Sequence, residues 1–173
     1  MTSRRVYDGE KHAHFLTFSC YKRRRLLAPG QAKRILLGVL YRRLEWLNGG
    51  CIGFVATPDH AHALVWFGKP DCVSPFMNKW KEETSTGIKD FYRRRFPKYF
   101  ATTGEDDPVW QARYYGFNVF SREKIEEKLD YMHLNPVRAG LVERAVDWSW
   151  SSARWYMAGR SVGVPITWPP GFD

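Results

Sequence analysis

Residues 51–67 read Cys51-Ile-Gly-Phe-Val-Ala-Thr-Pro-Asp-His60-Ala-His62-Ala-Leu-Val-Trp-Phe67, two apolar runs divided by a Thr-Pro-Asp turn. Runs of this length around a turn predict two strands, 51–56 and 60–67, joined as a hairpin. Along a strand, residues two apart share a face. His60 and His62 therefore point the same way as Leu64 and Trp66, while Ala61, Ala63, Val65 and Phe67 line the other side.

Working outward, residues 15–21 form a strand-like run that ends in the basic stretch Lys22-Arg-Arg-Arg25 and the turn Ala28-Pro-Gly30. Residues 31–47 carry Ile35, Leu36, Val39, Leu40, Leu44 and Leu47 at helical spacing, and Asn48-Gly-Gly50 stops that helix. Beyond the hairpin, residues 73–96 predict a basic amphipathic helix interrupted around Gly87, and the polar stretch 97–108 a loop. Residues 114–120 give a fourth strand. Ser121 then caps a helix that Asn135-Pro136 ends. The order β-α-β-β-α-β-α indicates an α+β, ferredoxin-like antiparallel sheet with helices packed on one face. We expect one domain over residues 1–173, with a core at about 10–145 and a short C-terminal extension over 146–173.

The chain carries 27 Lys+Arg against 18 Asp+Glu, a net charge of +9, which favours a polyanionic partner. Its apolar runs are too short to cross a bilayer, and no signal-peptide apolar region follows the basic N-terminus, so a cytoplasmic, non-membrane protein is expected. Cys20, Cys51 and Cys72 form no CxxC pair and read as small core residues. Arginine clusters lie beside aromatic residues, as at Arg4-Arg5 with Tyr7 and at Lys22, Arg23, Arg24 and Arg25 with Tyr21. Cations for phosphate next to rings for bases suit a single strand or a hairpin.

Two imidazoles on one strand face can hold one metal ion, or can serve only as hydrogen-bonding groups at a sheet surface. His12-Ala-His14 has the same spacing. We assign the metal to His60 and His62 because the Thr57-Pro-Asp59 turn anchors their strand. His12 and His14 mark a strand entrance, with His14 a candidate neighbour of the site. On the helix after Ser121, Ile125, Leu129 and Met132 form the buried stripe, and Lys124, Lys128, Tyr131 and Asn135 fall on an adjoining one. Asn135 is thus a candidate third ligand. Tyr131 is a candidate nucleophile that Lys128, one turn away, would assist. Tyr114 and Tyr115 are its nearest rivals.

Thr57-Pro-Asp-His60-Ala-His62-Ala-Leu64 resembles the histidine–hydrophobe–histidine element of the IS200-like transposases, and Tyr131-Met-His-Leu-Asn135-Pro-Val-Arg-Ala-Gly-Leu-Val142 is similar to their catalytic-tyrosine helix. Trp110-Gln-Ala-Arg-Tyr-Tyr115 and Trp148-Ser-Trp-Ser-Ser152 resemble elements of the REP-associated tyrosine transposase branch, and the similarity spans roughly residues 4–156. Asp59 stands where the family often has Asn. The resemblance implies an RRM-like catalytic domain, a Mg2+ or Mn2+ ion, and hairpin-bearing single-stranded DNA as substrate. It makes Tyr131 the nucleophile of a cleavage and rejoining reaction that proceeds through a 5′-phosphotyrosine and needs no nucleoside triphosphate. We further expect Arg4, Arg5, Tyr7 and the Lys22 to Arg25 run to hold the DNA. The REP-associated branch implies a monomer acting in cis, favoured here by the C-terminal segment, and the IS200-like enzymes a dimer with the tyrosine helix in trans. A non-catalytic RRM-like binder would share the fold and charge, and a metal-dependent nuclease would share the histidines.

Overall fold

The computed structural model describes residues 12–103 and 105–172. Arg4, Arg5 and Tyr7 lie outside them. Four strands, β1 (Ala13–Ser19), β2 (Gly49–Ala56), β3 (His60–Phe67) and β4 (Tyr115–Val119), form one sheet in the order β2-β3-β1-β4. Every neighbouring pair is antiparallel. With α1 (Gly30–Trp46) after β1 and α2 (Val73–Arg95) after β3, this is the ferredoxin-like arrangement that the order of elements predicts.

The alternation in β3 separates two cores. Ala61, Ala63, Val65 and Phe67 join Leu36, Leu40, Phe76, Met77 and Trp80 of α1 and α2. Leu64 instead joins Ile125, Leu129 and Met132 of α4 (Arg122–His133) on the opposite side. Packing on one face therefore describes α1 and α2 only, because α4 crosses the second face. The apolar stripe of α4 had to bury itself, and the α1–α2 face was already full.

Two glycines set helix distances. A β-carbon at Gly53 would lie 2.4 Å from Leu129 and 3.1 Å from Met132, so this bare position in β2 lets α4 approach the sheet. A β-carbon at Gly87 would lie 2.9 Å from Ile35. Gly87 thus permits close packing of α1 on α2 and does not interrupt α2, which runs unbroken. The stretch expected as a loop begins with a short helix, α3 (Pro97–Thr103), with Pro97 at its first position, where a missing N–H costs nothing. Ser121 caps α4 as expected, accepting from the Lys124 backbone N–H at 3.2 Å. Helix α4 ends at His133, and Asn135 and Pro136 open a separate short helix, α5 (Asn135–Arg138).

The C-terminal segment closes the β2 edge. The Ala56 N–H donates to Trp150 O, the Ser152 N–H to Phe54 O, and the Thr167 N–H to Cys51 O, each within 2.9 Å. An edge strand is thereby covered. Lys33 is buried, donates to Ala28 O at 2.9 Å, and lies 5.7 and 5.3 Å from the Trp148 and Trp150 rings. Burial pushes its ammonium down to about 8, and the charge of Arg25 adds to the effect. Cys20, Cys51 and Cys72 are buried thiols, as core residues should be. Among the described residues no helix is long and apolar enough to cross a membrane.

Candidate active site

His60 and His62 stand on β3 with their rings 5.0 Å apart, facing α4 and α5. Both Nε2 atoms converge on one side chain. His60 Nε2 lies 3.1 Å from Asn135 Oδ1, and His62 Nε2 lies 3.4 Å from Asn135 Nδ2. The far nitrogens are held from behind. His60 Nδ1 is 2.7 Å from the Asp59 carboxylate and 2.8 Å from Thr57 Oγ1, and His62 Nδ1 is 2.6 Å from Thr17 Oγ1. An ionised carboxylate can only accept, so His60 donates from Nδ1 and its Nε2 lone pair is turned to the site. Burial opposes ionisation of Asp59, but the hydrogen bond and charge of His60 and the charge of Arg23 hold its carboxyl below the usual range.

His62 is almost fully buried. Burial first, then the charges of His60, Arg23 and Arg138, push its imidazole down to about 3. It is therefore neutral at neutral pH, the form that ligates metals. Asn135 Oδ1 faces the His60 lone pair at 3.1 Å. Two acceptors that close require a proton or a cation between them, or a flipped amide. Nitrogen, nitrogen and amide oxygen suit a divalent first-row or magnesium-like ion, and hydrogen-bonded Nδ1 groups are the usual support for histidine ligands. No group of three or more His, Cys, Asp or Glu side chains that could hold a metal occurs among the described residues. The Asn135 amide is the side chain that could supply a third donor beside the two imidazoles.

Tyr131 stands one turn before Asn135 and is 46% exposed. Its ring meets His62 edge-on at 5.8 Å and Phe15 at 6.1 Å, while Phe15 stacks on His62 at 5.4 Å. The Tyr131 ring therefore lies beside the histidine site and is partly open to solvent. Lys128 Nζ lies 5.9 Å from the Tyr131 ring but closer, 4.7 Å, to Phe117. Arg138 is the nearer cation, 4.9 Å from the Tyr131 ring, with Nη1 donating to Tyr131 O at 3.1 Å. Lys124, the first member of the stripe, pairs with Glu127 and takes no part.

The rival residues separate by face. Tyr114 OH lies 3.5 Å from Ser74 Oγ of α2, on the far side of the sheet. Tyr115 pairs with Thr17 and shares the site's face, but sits two strand spacings from His62, on the order of 10 Å. His14 does not neighbour the site. Its β3 partner is Val65, whereas His62 is the partner of Thr17, so His12 and His14 lie on the α1–α2 face.

In the basic run, Lys22 and Arg23 both hold positive φ angles of 52° and 55°. Arg23 is exposed, with Nε 3.1 Å from Asp59 and Nη1 donating to Ser19 Oγ at 2.8 Å. Arg24 turns inward to Asp107 and the Pro108 carbonyl, which removes it from the open surface, while Lys22 and Arg25 are exposed. Sequence reasoning missed Thr17, Phe15 and Arg138. The first two were accessible through the period-two alternation of β1. It also missed buried His133, whose Nε2 lies 2.7 Å from Ser152 Oγ, the same hydroxyl that accepts from Phe54 N–H at 2.9 Å. That contact ties the end of α4 to β2 and the C-terminal segment.

No protein-family model matches the chain. It is 26% identical over 99 residues, 57% of its length, to the REP-associated tyrosine transposase of Escherichia coli K12, and 26% identical over 100 residues to a putative REP-associated tyrosine transposase of Haemophilus influenzae. These alignments cover 51% and 53% of those proteins, so the chain spans about half the length of the curated relatives it matches. A solved structure of a REP-associated tyrosine transposase bound to a REP hairpin superposes with a TM-score of 0.71 at 20% identity, covering 100% of this chain and 94% of that one. The fold is shared along the whole chain, and the resemblance read from the motifs is borne out by relatives that carry that name.

Proposed function

We propose that the protein is a metal-dependent tyrosine transposase that cuts and rejoins single-stranded, hairpin-forming DNA. The observation that carries this reading is the convergence of both histidine Nε2 atoms on Asn135, with the exposed Tyr131 ring 5.8 Å from His62. A divalent ion, Mg2+ or Mn2+, held by His60, His62 and Asn135 would supply Lewis acidity at the scissile phosphate. Thr17, Thr57 and Asp59 fix the two imidazoles so that their Nε2 lone pairs face the site.

Tyr131 Oη attacks phosphorus as its phenolic proton leaves. A Tyr–O–P bond forms, the bond to the 3′ oxygen breaks, and that oxygen departs as a 3′-hydroxyl. The 5′-phosphotyrosine retains the bond energy, so attack by another 3′-hydroxyl reseals a strand without a nucleoside triphosphate. Arg138 and Lys128 set positive charge beside the Tyr131 ring, where it can draw in a phosphate. Arg23 offers a cation beside Asp59, exposed Lys22 and Arg25 flank it in the chain, and Arg4, Arg5 and Tyr7 remain part of the proposed DNA surface. His62 and Tyr131 of the same chain stand 5.8 Å apart, an arrangement that a monomer can use in cis.

Incubating the protein with a labelled hairpin-bearing single strand and Mn2+ tests the reading. We expect an SDS-resistant protein–DNA adduct that chelator prevents. Cleavage with product release and no adduct would point to a nuclease, and binding without cleavage to an RRM-like binder.

A further inference from the structure

Helix α4 covers the β2–β3 half of the catalytic face, with Leu129 and Met132 over Gly53. Toward β4 the same face carries Thr17 and Ser19 of β1 and the ring of Tyr115, which is 43% exposed although it lies on a strand. Tyr115 directly opposes Thr17, the residue that holds His62. Cations rim this shelf. Arg23 reaches Ser19 from one side, and Lys128 lies over Phe117 and Phe15 on the other. An exposed ring beside cations on an open sheet face suits an unpaired nucleobase, with the rim neutralising its phosphates.

We propose that Tyr115 is the stacking platform for an unpaired base next to the phosphate seated on His60 and His62, held there by the Arg23 and Lys128 rim. This inference rests on the nucleic-acid reading of the site. Stacking on Tyr115 sets the direction in which the strand crosses the sheet: from the histidines over β1 to the β4 edge. It also accounts for consecutive tyrosines. Tyr114 meets Ser74 on the α2 face, and the register of β4 turns Tyr115 to the other.

The test measures binding of a single-stranded oligonucleotide carrying 5-iodouracil, in Tyr131→Phe protein so that no adduct accumulates. Tyr115→Leu should weaken binding about tenfold or more, with Tyr115→Phe near the parent. Because no charge is removed, the slope of affinity against salt should stay unchanged, unlike that of Arg23→Ala, which should flatten by about one counterion. Ultraviolet cross-linking should map to Tyr115. Tyr115→Leu binding within twofold of the parent, with cross-links elsewhere, overturns the stacking site and leaves the transposase reading standing. Failure of the parent to hold the oligonucleotide at any salt overturns both. Equal melting temperatures for the variants confirm that the edge strand tolerates the change.

Discussion

His12-Ala-His14 and His60-Ala-His62 have the same sequence pattern on neighbouring strands, yet they occupy different environments. His60 and His62 face α4 and α5, have their Nδ1 atoms bonded to Asp59, Thr57 and Thr17, and turn Nε2 toward Asn135. His12 and His14 face the α1–α2 side. Their rings pack 4.5 Å apart, His14 Nδ1 meets Asn118 at 3.3 Å, and both His12 nitrogens lack hydrogen-bond partners among the described residues. Spacing brings two imidazoles to one face. What stands opposite that face decides whether they can serve as ligands.

Exchanging the two pairs should give the largest contrast. His62→Ala should lower metal-dependent adduct formation about a thousandfold or more, since several kcal/mol of transition-state stabilisation would go with the ion. His14→Ala should cost about 2 kcal/mol of stability from lost packing and leave the adduct rate within about threefold. Equal rate losses for the two, measured on folded protein, would erase the distinction.

Support from behind comes next. Thr17→Val keeps the shape but removes the hydroxyl on His62 Nδ1, and should weaken Mn2+ binding by about 10- to 100-fold in titration calorimetry. Gly53→Ala places a methyl group against Leu129 and Met132 and should cost about 1–3 kcal/mol in denaturant melts. Adduct formation should fall with it, because α4 carries Tyr131. A stable, fully active Gly53→Ala would mean that the helix has slack.

The smallest effect separates the pairs by pH. Burial, then the charge of His12, pushes His14 down to about 4 against an ordinary 6.5, with a partial offset from Asn118. Between those values the unfolded chain binds more protons than the folded one. His14 therefore costs nothing above pH 6.5, and stability falls as pH drops from 6.5 toward 4. Between pH 7 and 5.5 the loss from this residue is about 1 kcal/mol. His14→Gln should reduce the slope of melting temperature against pH in that range; an unchanged slope would contradict its burial as a neutral imidazole.

Much of this was legible in the sequence because period and turn chemistry are local. The hairpin around Thr57-Pro-Asp59, the two faces of β3, the Ser121 cap and the stripe from Lys128 to Asn135 all follow from spacing between near neighbours. Which face α4 chose was not legible, since both faces of the sheet are apolar and only the filling of one by α1 and α2 sends α4 to the other. Gly87 was misread as a break for a similar reason: its partner, Ile35, is far away in the chain. Thr17 and Arg138 become visible only when strand register and the α4–α5 joint place them beside His62 and Tyr131. The Trp148 and Trp150 pair stands out as a motif in the sequence, but its partner Lys33, a buried cation in an otherwise apolar helix face, is visible only in the fold.

The central claim is that Tyr131, and no other tyrosine, takes the DNA on a site built by His60, His62 and Asn135. Digesting the Mn2+-dependent adduct and sequencing the modified peptide by mass spectrometry tests it directly. We predict the nucleotide remnant on Tyr131, and no adduct in Tyr131→Phe. A remnant on Tyr114 or Tyr115, or an adduct that survives Tyr131→Phe, would contradict the account.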